Sequence, residues 1–89
     1  MIHNTAIVSD KARIASDVEI GPFTVIGPKV KIGIGVTIAN GCLIDGDTTI
    51  GAGSKIYTGA VIGSPPQDLK YKGEDTKLII GENNIIREY

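Results

Sequence analysis

The side chains that can do chemistry gather in one short stretch, SPPQDLKYKGEDTK, which runs from Ser64 to Lys77. Within it Gln67, Asp68, Lys70 and Tyr71 stand close together, with Lys72, Glu74 and Asp75 just beyond. A carboxylate accepts from hydroxyls, an amide both donates and accepts, and a lysine meets phosphate as a point charge. Such a set can hold a polyhydroxylated, phosphorylated ligand, although by composition alone any exposed loop offers similar groups. Elsewhere the reactive residues are few. His3 is the single histidine and reads as a solvated residue near a terminus rather than a base. Cys42 is the single cysteine, so no internal disulfide forms, and its place in the repeat makes it core filler rather than a nucleophile. One His and one Cys cannot build a zinc site at conventional spacings, so no metal is expected. No catalytic triad, metal-binding carboxylate motif or phosphate-cradling glycine loop stands in the sequence.

The elements that must position those groups follow a period of six. Ile2, Val8, Ile14, Ile20, Ile26, Ile32, Ile38, Ile44, Ile50, Ile56 and Ile62 occupy consecutive slots of that period, and all are β-branched. Six fits neither the 3.6 of a helix nor the 2 of a lone strand; it fits a solenoid that turns a corner every hexapeptide. Two residues before each aliphatic stands a small or short one, among them Ala12, Thr24, Val36, Cys42, Ser54 and Ala60. Residues two apart on a strand share a face, so small and large side chains point inward together. Gly21, Gly27, Gly33, Gly51 and Gly63 follow the aliphatic, where the backbone bends. Two positions later Gly35, Gly41, Gly53, Gly59, Asp17 and Asp47 tolerate the positive φ expected at a corner.

The outward residue of each strand adds a period of eighteen, three hexapeptides. Ile7, Val25, Leu43, Val61 and Ile79 form an apolar series, whereas Arg13, Lys31, Thr49 and Glu19, Thr37, Lys55 form polar ones. The chain is therefore expected to be an all-β solenoid of triangular coils, eighteen residues each, with one exposed aliphatic ladder. Such a stripe marks an oligomer interface; the plainer alternative is that exposed aliphatics are common on β surfaces.

The period fails once, over 64–77, where Pro65-Pro66 cannot continue a ladder and a loop is expected to be extruded. Residues 1–89 otherwise suit a single domain. The formal charge of −1 offers no net basic field for nucleic acid, and no stretch is long and apolar enough for a membrane span. Without a basic and apolar leader at Met1-Ile2-His3-Asn4, a cytoplasmic location is expected. Ile80 and Ile86 regain the phase of six and no polar cap follows, so the chain is expected to be the front part of a longer β-helix.

The repeat resembles that of the hexapeptide-repeat acyltransferases, whose fold is a left-handed parallel β-helix; that hand comes from the resemblance and runs against the usual right-handed crossover. Within that superfamily the opening MIHNTAIVSDKARI, the stretch VEIGPFTVIGP, the segment IGSPPQDLKYKGEDTKLIIGENN and the final IIRE are similar to the start of the UDP-N-acetylglucosamine acyltransferases. The hexapeptides are shared by many acyltransferases; the QDLKY loop followed by IRE is specific. The resemblance implies transfer of an (R)-3-hydroxyacyl chain from acyl carrier protein to the glucosamine 3-hydroxyl of UDP-N-acetylglucosamine, the first step of lipid A biosynthesis. It implies no metal or dissociable cofactor, and a homotrimer with active sites between subunits. It places Gln67 and Asp68 on the sugar nucleotide, Lys70 beside the substrate's phosphates or the carrier's pantetheine arm, and Tyr71 along the same wall. The family's general base is a histidine in a later coil. That base is expected beyond Tyr89, so the 89-residue chain alone is expected to be inactive. Two alternatives stand beside this reading. One is another hexapeptide acyltransferase for a nucleotide sugar, which would not require QDLKY. The other is a non-catalytic β-solenoid such as a scaffold or an ice-binding helix, against which the interruption and the lack of a threonine column argue.

Overall fold

The computed structural model of the chain describes residues 1–63 and 77–87, and every regular element among them is a strand. In chain order these are β1 (Ile7–Val8), β2 (Arg13–Ile14), β3 (Glu19–Ile20), β4 (Val25–Ile26), β5 (Lys31–Ile32) and β6 (Thr37–Ile38). They continue as β7 (Leu43–Ile44), β8 (Asp47–Ile50), β9 (Lys55–Ile56), β10 (Val61–Ile62), β11 (Lys77–Ile80) and β12 (Ile85–Ile86). Each strand lies on the next of three faces, and the fourth returns to pair in parallel with the first. Face I is β1-β4-β7-β10, face II is β2-β5-β8-β11 and face III is β3-β6-β9-β12. The fold is a left-handed parallel β-helix with triangular coils.

The stacking explains why so short a repeat folds. Every isoleucine slot lies beside the same slot of the next coil, as in Val8↔Ile26↔Ile44↔Ile62 on face I. Ile26, Ile38, Ile44, Ile50 and Ile56 are fully buried, and burying each contributes about 1.5–3 kcal/mol. The small slot beside them is buried as well, from Val18 to Ala60. Where it holds a hydroxyl, the core satisfies it. Thr24 Oγ1 donates to the Ala39 carbonyl at 2.8 Å, and Ser54 Oγ donates to that of Gly81 at 3.1 Å. Among the described residues no buried side-chain polar atom lacks a partner. Val8, Ile14, Ile80 and Ile86 are only half-buried, because a coil at either end of the stack has a neighbour on one side alone.

The corners follow the expected column in part. Gly35, Gly41, Gly53 and Gly59 all have positive φ, between 68° and 78°. Asp17 and Asp47 do not, which corrects the expectation for those two. Asp17 instead accepts the Gly35 N–H of the next coil at 3.1 Å, and Asp47 opens β8. In that coil the positive φ falls one residue earlier, at Gly46. Phe23 and Asn83 also take the left-handed conformation, with φ of 60° and 58°. The Phe23 N–H is held by Thr5 Oγ1 at 3.1 Å.

Two expectations about the interruption need correction. Lys77 belongs to β11, paired with Asp47, so the ladder resumes at 77. Ile79 does not continue the apolar series of face I: it lies beside Thr49 on face II, in the file of Arg13 and Lys31. The step from face I to face II usually takes six residues, whereas Val61 to Ile79 takes eighteen. The interruption thus absorbs two hexapeptides' worth of chain. It keeps the phase of six and displaces the phase of eighteen.

Candidate functional site

Gln67, Asp68, Lys70 and Tyr71 lie outside the described residues. The frame that carries them is described on both sides, because the chain leaves at Gly63 on face I and re-enters at Lys77 on face II. At the exit, Gly63 stacks over Gly46 and both have a φ of +70°. A Cβ on Gly63 would press into the Asp45 carbonyl and the Thr48 hydroxyl, and one on Gly46 would press into the Gly63 carbonyl. Two backbones therefore approach so closely that only glycine fits either one. Thr48 Oγ1 fastens the lower turn by donating to the Asp45 carbonyl at 2.7 Å, and the Asp45 N–H donates to the Ile62 carbonyl at 3.0 Å.

The return is anchored differently. β11 pairs with β8 over four residues, Lys77↔Asp47 through Ile80↔Ile50, where the other strand pairs use two. Threonines 48 and 49 suit that longer ladder, being β-branched. The Gly51 N–H then donates to the Ile80 carbonyl at 2.7 Å and closes it. Asp45 and Asp47 therefore sit at the base of the interruption. On the same edge a depression of about 180 Å³ is lined by Lys11, Lys29, Lys31 and Asp47. This base can accept from hydroxyls and attract anions, but among the described residues it holds no histidine.

His3 stands at another corner, before β1. It is exposed, its Nδ1 accepts the Thr5 N–H at 3.1 Å, and it serves a local turn. Cys42 is 1% exposed beneath face I. Burial pushes its thiol above the ordinary value, while backbone contacts at Ala60 and Gly59 and the Thr24 hydroxyl pull the other way. Its Sγ donates to the Tyr57 carbonyl at 3.2 Å, as core filler does. Of the expected interface residues, Ile7, Val25, Leu43 and Val61 share one file on face I, and Ile79 does not join them.

The sequence reading missed the Asp45-Gly46 corner that sets the exit. Its signal was present: Gly46 is one position out of phase with Gly35, Gly41, Gly53 and Gly59.

Comparison with known proteins extends the picture beyond this frame. The bacterial transferase hexapeptide model, of six repeats, matches residues 11–46. Over 87 residues the chain is 61% identical to an acyl-[acyl-carrier-protein]–UDP-N-acetylglucosamine O-acyltransferase of Akkermansia muciniphila, covering 98% of this chain and 34% of that one. The protein of the same name from Xanthomonas campestris pv. campestris strain B100 is 57% identical over 89 residues, covering 100% and 34%. By sequence the chain is similar to the N-terminal third of the UDP-N-acetylglucosamine acyltransferases. The fold agrees. A solved UDP-N-acetylglucosamine acyltransferase structure superposes with a TM-score of 0.94 at 52% identity, over 100% of this chain and 34% of that one. The chain spans about a third of the length of the relatives it matches.

Proposed function

We propose that this chain supplies the sugar-nucleotide-facing coils of an O-acyltransferase of lipid A biosynthesis, working in the cytoplasm. The enzyme moves an (R)-3-hydroxyacyl chain from acyl carrier protein to the glucosamine 3-hydroxyl of UDP-N-acetylglucosamine. The observation that supports this most is 57% identity across all 89 residues, interruption included, to a relative bearing that name. In this reading Gln67 and Asp68 hold the sugar by its hydroxyls, Lys70 meets phosphate or the pantetheine arm, and Tyr71 shapes the wall. The sugar hydroxyl attacks the thioester carbonyl and gives its proton to a histidine outside these 89 residues, and the carrier leaves as its thiol. His3 has no part in that step, being engaged with Thr5 at a different corner. Face I packs against neighbouring copies in a homotrimer through Ile7, Val25, Leu43 and Val61.

The test is an assay of carrier-thiol release with 3-hydroxyacyl carrier protein and UDP-N-acetylglucosamine. The 89-residue chain alone is expected to release none; turnover by it would overturn the assignment of the base. Spliced in place of the matching third of the Akkermansia relative, the chain is expected to support turnover. Asp68→Ala in that hybrid is expected to lower turnover by about a hundredfold. An unchanged rate would remove Asp68 from the site.

A further inference from the structure

Face II carries a feature apart from Gln67, Asp68, Lys70 and Tyr71, the residues assigned to acyl transfer. Arg13 and Lys31 stand side by side on β2 and β5. Lys11 and Lys29, one corner earlier on the same two coils, line the depression that Arg13 and Lys31 also line. Like charges side by side on neighbouring strands repel, so four cations stacked two by two work against the bare fold. Asp47 is the one acid in the lining of that depression. Toward the following corner the face changes character. A second, shallow trough of about 500 Å³ runs past Ala15, Gly33 and Gly51, almost wholly apolar, with Arg13, Lys31 and Thr49 along its side. The two depressions share Arg13 and Lys31. A cationic recess thus opens directly into an apolar one.

We propose that face II binds an anionic amphiphile, with its phosphate head on Arg13, Lys31 and Lys29 and its single acyl chain along Ala15, Gly33 and Gly51. The head neutralises charges that otherwise repel, and phosphate suits both the fork of arginine and the point charge of lysine. The chain removes apolar surface from water. The trough crosses three coils, about 10 Å at the usual strand spacing, and its volume lies within the range of about 300–1,000 Å³ typical of small-molecule sites. A recessed apolar strip fits one chain, whereas a bilayer is met by apolar side chains that project. The proposal stands on face II alone, so it is independent of whether acyl transfer occurs at the loop.

The test is a titration of the chain with decyl phosphate below its micelle concentration, followed by amide NMR and calorimetry. Inorganic phosphate, neutral decyl maltoside and phosphatidylglycerol vesicles run in parallel. Decyl phosphate is expected to move the Gly33 and Gly51 amides and to bind at least about tenfold more tightly than phosphate or the maltoside. Arg13→Gln with Lys31→Gln is expected to weaken it by about tenfold or more. Because that variant relieves repulsion, its melting temperature is expected to hold or rise. Lys29→Gln alone, at the corner, is expected to weaken binding to a smaller extent. Equal affinity for inorganic phosphate or for the maltoside would overturn the proposal. So would binding to vesicles only, or undiminished binding by the double variant.

Discussion

Faces I and II are wound from the same hexapeptides and share one interior, yet they present opposite surfaces to water. Beneath them lie equivalent files, Ile26, Ile44 and Ile62 under one and Ile32, Ile50 and Ile80 under the other. Outside, face I shows Ile7, Val25, Leu43 and Val61, with Ile7 67% and Val61 55% exposed, while face II shows Arg13, Lys31 and Thr49 before Ile79. Interior positions answer to packing, which buries a file of isoleucines under both faces. The outward positions answer to nothing inside the coil, so their chemistry reports what each face meets. The aliphatic file is the surface proposed to meet another copy of the chain. A stacked cationic array beside an apolar trough asks for a charged ligand with a greasy part.

If the interiors are equivalent, Ile44→Ala under face I and Ile50→Ala under face II should cost similar amounts, about 2–5 kcal/mol each. Urea unfolding followed by far-ultraviolet circular dichroism checks this. A much smaller cost on one face would end the claim of a common interior. The corners supply a second contrast. Gly63→Ala should cost about 2–3 kcal/mol, because strain at positive φ adds to collision with the Asp45 carbonyl and the Thr48 hydroxyl. Gly41→Ala shares the φ but meets nothing within 4 Å, so about 1 kcal/mol is expected. Equal losses would mean that the close approach at the exit is unimportant.

Smaller effects separate the paired sites further. Cys42 fills beneath face I the slot that Thr48 fills beneath face II. Burial raises its thiol above 9.0, so the folded chain keeps a proton that the unfolded chain releases first. Stability should therefore be unaffected below the unfolded value and fall as pH rises past it toward the folded one. Cys42→Ala should remove that alkaline decline, and denaturation midpoints from about pH 7 to pH 10 read it out. The smallest expected change is a gain. Arg13→Gln relieves its repulsion with Lys31 and should raise the melting temperature slightly at low salt, with the difference vanishing at high salt.

The interior was readable in the sequence because packing repeats it. Each isoleucine slot from Val8 to Ile62 and each small slot before it points inward as its spacing required. The corners were readable where glycine marks them and hidden where Phe23 takes a positive φ without one. Ile79 was assigned to face I because a count of eighteen cannot tell a full coil from an interruption of two hexapeptides. The array on face II escaped notice because Lys11 and Lys29 belong to the corner column, whereas Arg13 and Lys31 belong to the strand column. Only the winding brings the two columns together. Gln67, Asp68, Lys70 and Tyr71 stood out for the opposite reason, as part of the stretch in which the period of six lapses.

The paired glycines at 46 and 63 and the four-residue ladder from Lys77 together make a socket. Among the described residues, its hydrogen bonds and close contacts join one turn of the winding to another. If ligand preference resides in the inserted residues, as proposed, it can drift while the scaffold around that socket holds still.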